Sequence, residues 1–235
     1  MSPDAGLAHR VSAVREAVQA AAVEAGRNPA EIVTIAVTKF HPASLVRELA
    51  GFGLRDIGES RHQEAREKAA ELADLGLAWH FVGQLQGKKA RQVQRYAHVL
   101  HSVDRESLVD ALALPADLAD PATDRPVTEV FLQVNLTEDP ARGGVAPTGL
   151  EALAERAEAA VGIRLAGVMA VAPRGGNPRR AFATLRELSA RVRRIAPGAD
   201  AISAGMSGDF REAILEGATH LRIGTAITGN RPDPR

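Results

Sequence analysis

The chain has 235 residues, 45% of them apolar and 25% charged, which is the composition of an ordinary globular protein with one large domain or two small ones. Its 29 basic and 29 acidic residues balance, which argues against a general attraction to nucleic acid or to an anionic membrane surface. The absence of cysteine excludes disulfides, thiolate metal sites and cysteine nucleophiles, and it fits a reducing cytoplasm. The first residues lack the order of a signal peptide, and no apolar run approaches the roughly 20 residues of a membrane-spanning helix.

Helical and extended patterns alternate along the chain. An Ala-rich helix is predicted over residues 5–25, and the turn sequence GRNP ends it. Apolar and β-branched runs then predict eight strands, at residues 32–38, 54–57, 79–83, 98–103, 127–135, 164–168, 200–203 and 219–223. Helical patterns follow these strands, near residues 42–52, 60–75, 87–96, 104–113, 148–161, 178–195 and 207–217.

This alternation predicts βαβ units and a parallel sheet, and eight strands favour a closed (β/α)₈ barrel of the TIM type over an open sheet. Residues 229–235, GNRPDPR, do not have a helical pattern, so we expect the additional N-terminal helix to complete the outer ring of helices. No linker divides the chain, and residues 1–235 are predicted to form a single domain. The Pro- and Asp-rich stretch 115–126 is predicted to be a surface loop.

The first predicted strand lies within IVTIAVTKFHP (residues 32–42) and ends at Lys39. Such a lysine can simply mark the point at which a strand reaches water. In a barrel of this type, however, the active site lies at the carboxyl ends of the strands. A lysine whose stem lies in an apolar mouth loses solvation of its ammonium, which favours a free amine able to form a Schiff base with a carbonyl group. Lys39 is therefore the candidate nucleophile.

Two loops of small residues follow the seventh and eighth predicted strands, SAGMSGD at 203–209 and RIGTAITG at 222–229. The loops at these two places commonly hold a phosphate group in this fold, because glycines let backbone N–H groups approach the oxygens and hydroxyls add further donors. The residues of suitable type are Ser203, Gly205, Ser207, Gly208, Gly224 and Thr225. For Ser207, a cap of the helix over 208–217 is an equally good interpretation.

Strands one and eight are neighbours in a closed barrel, so one ligand with a carbonyl group and a phosphate would span Lys39 and the two loops. Pyridoxal 5′-phosphate (PLP) has this shape, and so has a sugar phosphate held by a Schiff-base aldolase. Arg222, near the end of strand eight, is either a structural partner of carbonyls or carboxylates or a donor to the pyridine nitrogen of PLP. In the second case the nitrogen stays unprotonated and the ring is a weak electron sink.

The chain resembles the pyridoxal phosphate homeostasis proteins, whose fold is similar to the barrel domain of alanine racemase. The matching stretches cover nearly the whole chain in order: AVTKFHPASLVREL, RDIGESRHQEA, WHFVGQLQGKKAR, HSVDR, LQVNL, GVMAVAP, AGMSGDFREAI and HLRIGTAITG. The resemblance implies PLP as the cofactor, bound to Lys39 as a Schiff base. The residues that it assigns to the phosphate and the pyridine nitrogen are Gly205, Met206, Ser207, Gly224, Thr225 and Arg222.

Several positions around the predicted mouth are less specific. His80 is either a packed histidine or, as the resemblance implies, a residue near the cofactor, and Met169 is expected to pack in the core or beneath the cofactor. Ser60 and Lys88 stand where the family usually has asparagine, so contacts around the cofactor are expected to differ there. The stretch ARGGVAP at 141–147 is predicted to form a loop over the mouth.

The resemblance implies a role in vitamin B6 and amino-acid homeostasis, in which the protein buffers or delivers PLP to client enzymes without robust turnover. The alternatives are a PLP-dependent amino-acid racemase on the same barrel and a cofactor-free Schiff-base aldolase. Racemisation needs proton donors on both faces of the substrate carbon, and alanine racemase takes one, a tyrosine, from a second domain of its partner subunit. The only tyrosine here, Tyr96, lies on a predicted helix, which favours the carrier.

The expected partners are few. The seven histidines lack HxH and HExxH spacing, so no metal site is predicted. The basic helix face of Lys88, Lys89, Arg91 and Arg95 is interpreted as solvated rather than as a nucleic-acid site. We therefore expect a cytoplasmic monomer that binds neither nucleic acid nor a membrane.

Overall fold

The computed structural model describes residues 5–114 and 127–230. Eight parallel strands form a closed barrel in chain order, with β8 paired to β1. They are β1 (Val33–Val37), β2 (Asp56–Glu59), β3 (Ala78–Phe81), β4 (Val99–Val103), β5 (Thr128–Gln133), β6 (Ile163–Met169), β7 (Ala201–Ser203) and β8 (His220–Ile223). The expected TIM-type barrel is confirmed, whereas the loop predicted at 115–126 lies outside the described residues.

Nine helices accompany the barrel within the described ranges. They are α1 (Ala5–Glu24), α2 (Ala43–Gly51), α3 (His62–Glu71), α4 (Ala90–Val93), α5 (Glu106–Leu112), α6 (Leu150–Glu158), α7 (Pro178–Ile195), α8 (Phe210–Leu215) and α9 (Thr225–Thr228). Helix α1 packs against α8 and α9, and Arg10 Nε donates a hydrogen bond of 2.9 Å to the carbonyl oxygen of Ile227. The N-terminal helix therefore completes the outer ring of helices beside α8, as expected. None of the helices described here is long and apolar enough to cross a membrane.

Strand β2 lies two residues later than predicted, at 56–59 rather than 54–57. Gly58 and Glu59 are poor strand formers, which is why the sequence pattern ends before them. Gly58 fits because a Cβ there would come within 3.0 Å of the Ile35 side chain on β1. Glu59 fits because its buried carboxylate has hydrogen-bond partners.

The predicted helix over 87–96 is mostly replaced by 3₁₀ turns. Residues 87–89 form a 3₁₀ turn, α4 covers only four residues, and Tyr96 N donates to the carbonyl oxygen of Val93. The i→i+3 bonds on both sides of α4 keep this segment tighter than an α-helix. Tyr96, expected on a helix, therefore lies in a turn.

Buried aliphatic side chains fill the space between the strands and the helices, with Leu49, Leu153 and Leu185 among them. A smaller apolar cluster of Val99, Phe131, Ala166 and Met169 includes side chains from β4, β5 and β6. Polar side chains are buried as well. Every second residue of a barrel strand points into the barrel, and in an eight-stranded barrel these side chains fill the interior, whether they are polar or apolar.

Candidate functional site

A cavity of about 550 Å³ opens at the carboxyl ends of the strands. Val37 from β1, Met169 from β6 and Arg222 from β8 line it together with the loops that follow the strands. Its volume is in the range of small-molecule sites, which run from roughly 300 to 1,000 Å³. The position matches the place where barrels of this type carry out their chemistry.

Lys39 lines the cavity two residues after the end of β1. The residue is exposed, so the expected desolvation of its amine by an apolar mouth is wrong for this structure. Its neighbour Phe40 has a φ of +70°, the left-handed backbone region that non-glycine residues seldom adopt. The backbone N–H of Phe40 donates a hydrogen bond of 2.7 Å to Glu64. The chain therefore turns sharply just beyond the candidate nucleophile.

Arg222 reaches the cavity from β8, and its residue is buried. Its Nη1 donates to Ser203 Oγ at 2.6 Å and its Nη2 donates to the carbonyl oxygen of Ala170 at 2.9 Å. Burial lowers the pKa of Arg222 to about 10, which leaves the guanidinium protonated at neutral pH. Since a guanidinium has five N–H donors, these two contacts leave others that can donate towards the cavity.

The loops after β7 and β8 both contribute to the cavity, through Met206, Ser207 and Gly208 on one side and Gly224 and Thr225 on the other. The hydroxyl oxygen of Ser207 accepts a hydrogen bond of 3.2 Å from the N–H of Ala226. It therefore joins the two loops, and the alternative in which Ser207 caps the following helix is wrong. That helix, α8, begins only at Phe210.

Three residues assigned from the sequence lie away from the cavity lining. Gly205 has a φ of +88° and packs tightly, since a Cβ there would come within 2.9 Å of Phe210 Cα. Ser203 and His80 are buried, and His80 contacts His101 and Asp56 at 3.0 Å each. The interpretation of His80 as a packed, hydrogen-bonded histidine is therefore the correct one.

Ser60 and Lys88, the two positions at which the sequence departs from the family pattern, also lie outside the cavity lining. Ser60 follows β2, and its carbonyl group lies against Gly83, where a Cβ would come within 2.1 Å of it. Lys88 is exposed in the 3₁₀ turn before α4.

The loop over residues 141–147 lies at the mouth, as expected. Ala141, Arg142 and Gly143 line the cavity beside Gln84 and Gln133. Backbone hydrogen bonds of Val145 to Gln133 and of Asn135 to Val145, at 2.8 and 2.9 Å, fix this loop to the end of β5. The side chains of Gln84, Gln133 and Arg142 give the mouth of the cavity a polar rim.

Comparison with known proteins gives the family. The family model described as "Alanine racemase, N-terminal domain" matches residues 10–232. The pyridoxal phosphate homeostasis protein of Mycobacterium leprae is 41% identical, over 95% of this chain and 92% of its own. That of Pseudomonas aeruginosa is 42% identical, over 96% of both chains. The chain belongs to the pyridoxal phosphate homeostasis protein family.

Solved structures agree with this membership in the family. PipY of Synechococcus elongatus, in a structure with PLP bound, is 33% identical, has a TM-score of 0.78, and is matched over 95% of this chain and all of its own. Alanine racemase of Corynebacterium glutamicum is 17% identical with a TM-score of 0.67, and this chain covers 62% of it. The second likeness shows the fold alone.

In this member of the pyridoxal phosphate homeostasis family, a buried ion pair lies next to the candidate nucleophile. Lys68 Nζ lies 2.7 Å from Glu59 Oε1 and 2.8 Å from Glu64 Oε1, and it donates to the carbonyl oxygen of Thr38 at 2.9 Å. The Thr38 hydroxyl also donates to Glu59 Oε1, at 2.7 Å. Because Glu64 binds the N–H of Phe40, the cluster holds the backbone on both sides of Lys39.

Sequence reasoning missed this cluster. Glu64 and Lys68 have the i, i+4 spacing of an ion pair on one helix face, which was the available signal. Nothing local indicates that Glu59 from the neighbouring strand joins them. Burial raises the pKa of Glu59 despite the nearby Lys68, and its Oε2 is buried without a hydrogen-bond partner in the described structure.

A larger groove, of about 730 Å³, lies on the outside of the barrel. Its lining includes Trp79, Tyr96 and residues of α3, and Tyr96 OH lies 3.2 Å from His62 Nδ1. The groove contains neither Lys39 nor Arg222. The smaller cavity is the one that combines an amine, a guanidinium and the two small-residue loops.

Proposed function

We propose that this protein binds PLP as a Schiff base on Lys39 and serves vitamin B6 and amino-acid homeostasis as a carrier rather than as an efficient enzyme. The observation that carries the proposal is the single cavity lined by Lys39, Arg222 and the loops after β7 and β8. An aldehyde at one end of a ligand and a phosphate at the other match this arrangement. The bound cofactor would supply an electron-withdrawing ring conjugated to the amine.

In this proposal the phosphate lies between the loops at Ser207 and Thr225. Ser207, Gly208 and Gly224 are small, so backbone N–H groups of both loops can approach its oxygens. The hydroxyls of Ser207 and Thr225 add donors. Lys39 lies two residues after the end of the neighbouring strand, and β1 pairs with β8 at Ile35 and Arg222.

Arg222 would face the pyridine nitrogen. A guanidinium can only donate hydrogen bonds, so the nitrogen that it contacts must accept one and stay unprotonated. An unprotonated ring withdraws electrons weakly, and loss of a proton from a bound amino acid is then slow. The fixed charge of Arg222 thus supports a carrier.

The comparisons support the cofactor and the role. The relatives from M. leprae and P. aeruginosa are named pyridoxal phosphate homeostasis proteins, and the PipY structure at 33% identity has PLP bound. The racemases among the solved structures are distant, at 17% identity or below in the examples from C. glutamicum and Enterococcus faecalis.

The groups around the cavity also favour a carrier over a racemase. Among the described residues that line it, Lys39 is the one side chain that can act as a general base, because the other titratable groups there are Arg142 and Arg222. Racemisation needs a second base on the opposite face. A cofactor-free aldolase would have no pyridine ring for the guanidinium of Arg222 to contact.

We further propose a single-domain, cytoplasmic monomer whose partners are PLP-dependent client enzymes. An exposed Lys39 and an exposed Thr225 give the cavity an open mouth, through which a cofactor can exchange with solvent or with a client. In the ranges 5–114 and 127–230, no group of three or more His, Cys, Asp or Glu side chains is placed to hold a metal ion.

Incubation of the PLP-loaded protein with L-alanine in deuterium oxide tests this function. We expect little α-deuterium incorporation and little D-alanine, with the Lys39→Ala variant as the negative control and an alanine racemase as the positive control. Racemisation at about 10 per second, a median enzyme rate, would contradict the carrier and support the racemase.

A further inference from the structure

A chain of hydrogen-bonding side chains crosses the interior of the barrel and ends at Arg222. Asp56 Oδ1 lies 3.0 Å from His80 Nε2, His80 Nδ1 lies 3.0 Å from His101 Nε2, and His101 Nδ1 lies 2.8 Å from Ser203 Oγ. Ser203 Oγ in turn accepts from Arg222 Nη1 at 2.6 Å. The chain starts at the first residue of β2, on the face of the barrel opposite the cavity.

The two ends of this series of contacts, together with a single proton on each histidine ring, give every hydrogen bond in it a direction. A guanidinium can only donate, so Ser203 Oγ accepts from Arg222, and its own hydroxyl proton is available to His101 Nδ1. His101 then carries its proton on Nε2 and donates to His80 Nδ1. His80 carries its proton on Nε2 and donates to Asp56, whose carboxylate can only accept. All four contacts are satisfied by this one arrangement with both histidines neutral.

The side chains of this hydrogen-bond chain are shielded from water, which would otherwise compete for their donors and acceptors. His101 and Ser203 are fully buried, His80 is 3% exposed, and only Asp56 reaches solvent. The ring of His101 also stacks on Phe131, with centroids 4.6 Å apart. Burial first of all, with the charge of Arg222 acting in the same direction, lowers the pKa of His101 well below its usual value, so this ring stays neutral.

We propose that Asp56, His80, His101 and Ser203 are positioning residues, which hold the guanidinium of Arg222 at the ring nitrogen of the cofactor through one directional hydrogen-bond chain. The inference rests on the proposed function, because it concerns the same site. It extends the site by four side chains that do not line the cavity, and one of them lies at the far face of the barrel.

The first test uses the ligand-free protein and is independent of PLP binding. Two-bond ¹⁵N–¹H spectra of protein labelled with ¹⁵N-histidine report which ring nitrogen carries the proton. We expect His80 and His101 both as neutral Nε2–H tautomers. A proton on Nδ1 of either ring, or a charged ring at neutral pH, would break the direction of the chain and overturn the inference.

The second test compares PLP with 1-deazapyridoxal 5′-phosphate, in which a C–H group replaces the ring nitrogen. His101→Phe keeps a ring that can stack on Phe131 but removes both hydrogen bonds. We expect this variant to bind PLP roughly threefold to tenfold more weakly, the range of one lost hydrogen bond, and to bind the deaza analogue within about twofold of the wild type.

Two matched variants complete the experiment. His101→Gln keeps a hydrogen-bond donor and an acceptor at residue 101. His220→Gln changes a histidine that contacts the same Phe131 but takes no part in the hydrogen bonds between Asp56 and Arg222. Both should bind PLP within about twofold of the wild type. Equal weakening of PLP and the deaza analogue by His101→Phe, or no weakening of either, would overturn the inference. Failure of the wild-type protein to bind PLP would instead contradict the proposed function.

Discussion

The ammonium of Lys68 donates a hydrogen bond of 2.9 Å to the carbonyl oxygen of Thr38, the residue directly before Lys39. On the other side of Lys39, Glu64 binds both Lys68 and the N–H of Phe40. The candidate nucleophile is itself exposed, so its position depends on the backbone that carries it. A buried ion-pair cluster fixes that backbone, and the first prediction follows from it.

Lys68→Met is expected to lower the free energy of unfolding by about 3–5 kcal/mol, because Glu59 would remain as a buried and unpaired charge. Attachment of PLP to Lys39 should also slow, by up to roughly 100-fold if the amine moves by about 1 Å. Urea denaturation measures the first effect, and the appearance of the absorption band of covalently bound cofactor measures the second.

The double variant Lys68→Met with Glu59→Gln separates the two effects, with the exposed Lys89→Met as the control. A neutral amide at residue 59 should restore much of the stability, since no buried charge is left unpaired. Attachment should stay slow, because the bond to the Thr38 carbonyl is still missing. A stable double variant that attaches PLP as fast as the wild type would show that the cluster does not position Lys39.

Ser207→Ala and Thr225→Val should each weaken PLP binding about tenfold to hundredfold without preventing the covalent link. Each removes a hydroxyl donor, and a hydrogen bond to a charged group contributes roughly 1.5–3 kcal/mol. Titration with PLP measures the affinity. Thr184→Val is the matched control, because that hydroxyl lies on α7 and bonds only within its helix. Unchanged affinity in both variants would mean that the phosphate lies elsewhere.

Acid should destabilise the barrel through His220. Burial first of all, with the charge of Arg222 acting in the same direction and the charges of Asp56 and Glu129 opposing it, lowers its pKa from 6.5 to about 4. Between these values the unfolded chain binds more protons than the folded one, so the free energy of unfolding falls as the pH is lowered. The whole shift corresponds to on the order of 3 kcal/mol.

Urea denaturation at several pH values between 4.5 and 7 checks this prediction. His220→Gln removes the titrating ring, so the loss of stability towards low pH should be smaller in the variant than in the wild type. Carboxylates elsewhere contribute equally to both proteins. The same pH dependence in both would mean that His220 does not titrate differently on folding.

The barrel was predictable from the sequence because its signals are local and repeated. All eight strands, six of the seven helices predicted to follow them and the completing role of α1 are present, and α7 has the predicted bounds of 178–195. Errors arose where local preference and tertiary packing disagree. Gly58 and Glu59 have low strand propensity, yet both belong to β2. Gly58 packs closely on Ile35, and the buried carboxylate of Glu59 accepts a hydrogen bond from Lys68.

The cavity was predictable in its parts, since Lys39, Ser207, Arg222 and Thr225 all follow from their places at strand ends. What could not be predicted were contacts between side chains far apart in sequence. His101 bonds Ser203 across 102 positions, and no local pattern marks such a pair. For the same reason His80 could not be assigned to the interior before its two partners were known.

The central claim is a covalent link between PLP and the amine of Lys39, and borohydride reduction of the PLP-loaded protein followed by peptide mass mapping tests it most directly. We predict the pyridoxyl mass on the peptide that contains Lys39 and its absence from a Lys39→Ala variant that folds normally. A pyridoxyl mass on Lys88 or Lys89, with Lys39 unmodified, would contradict the account.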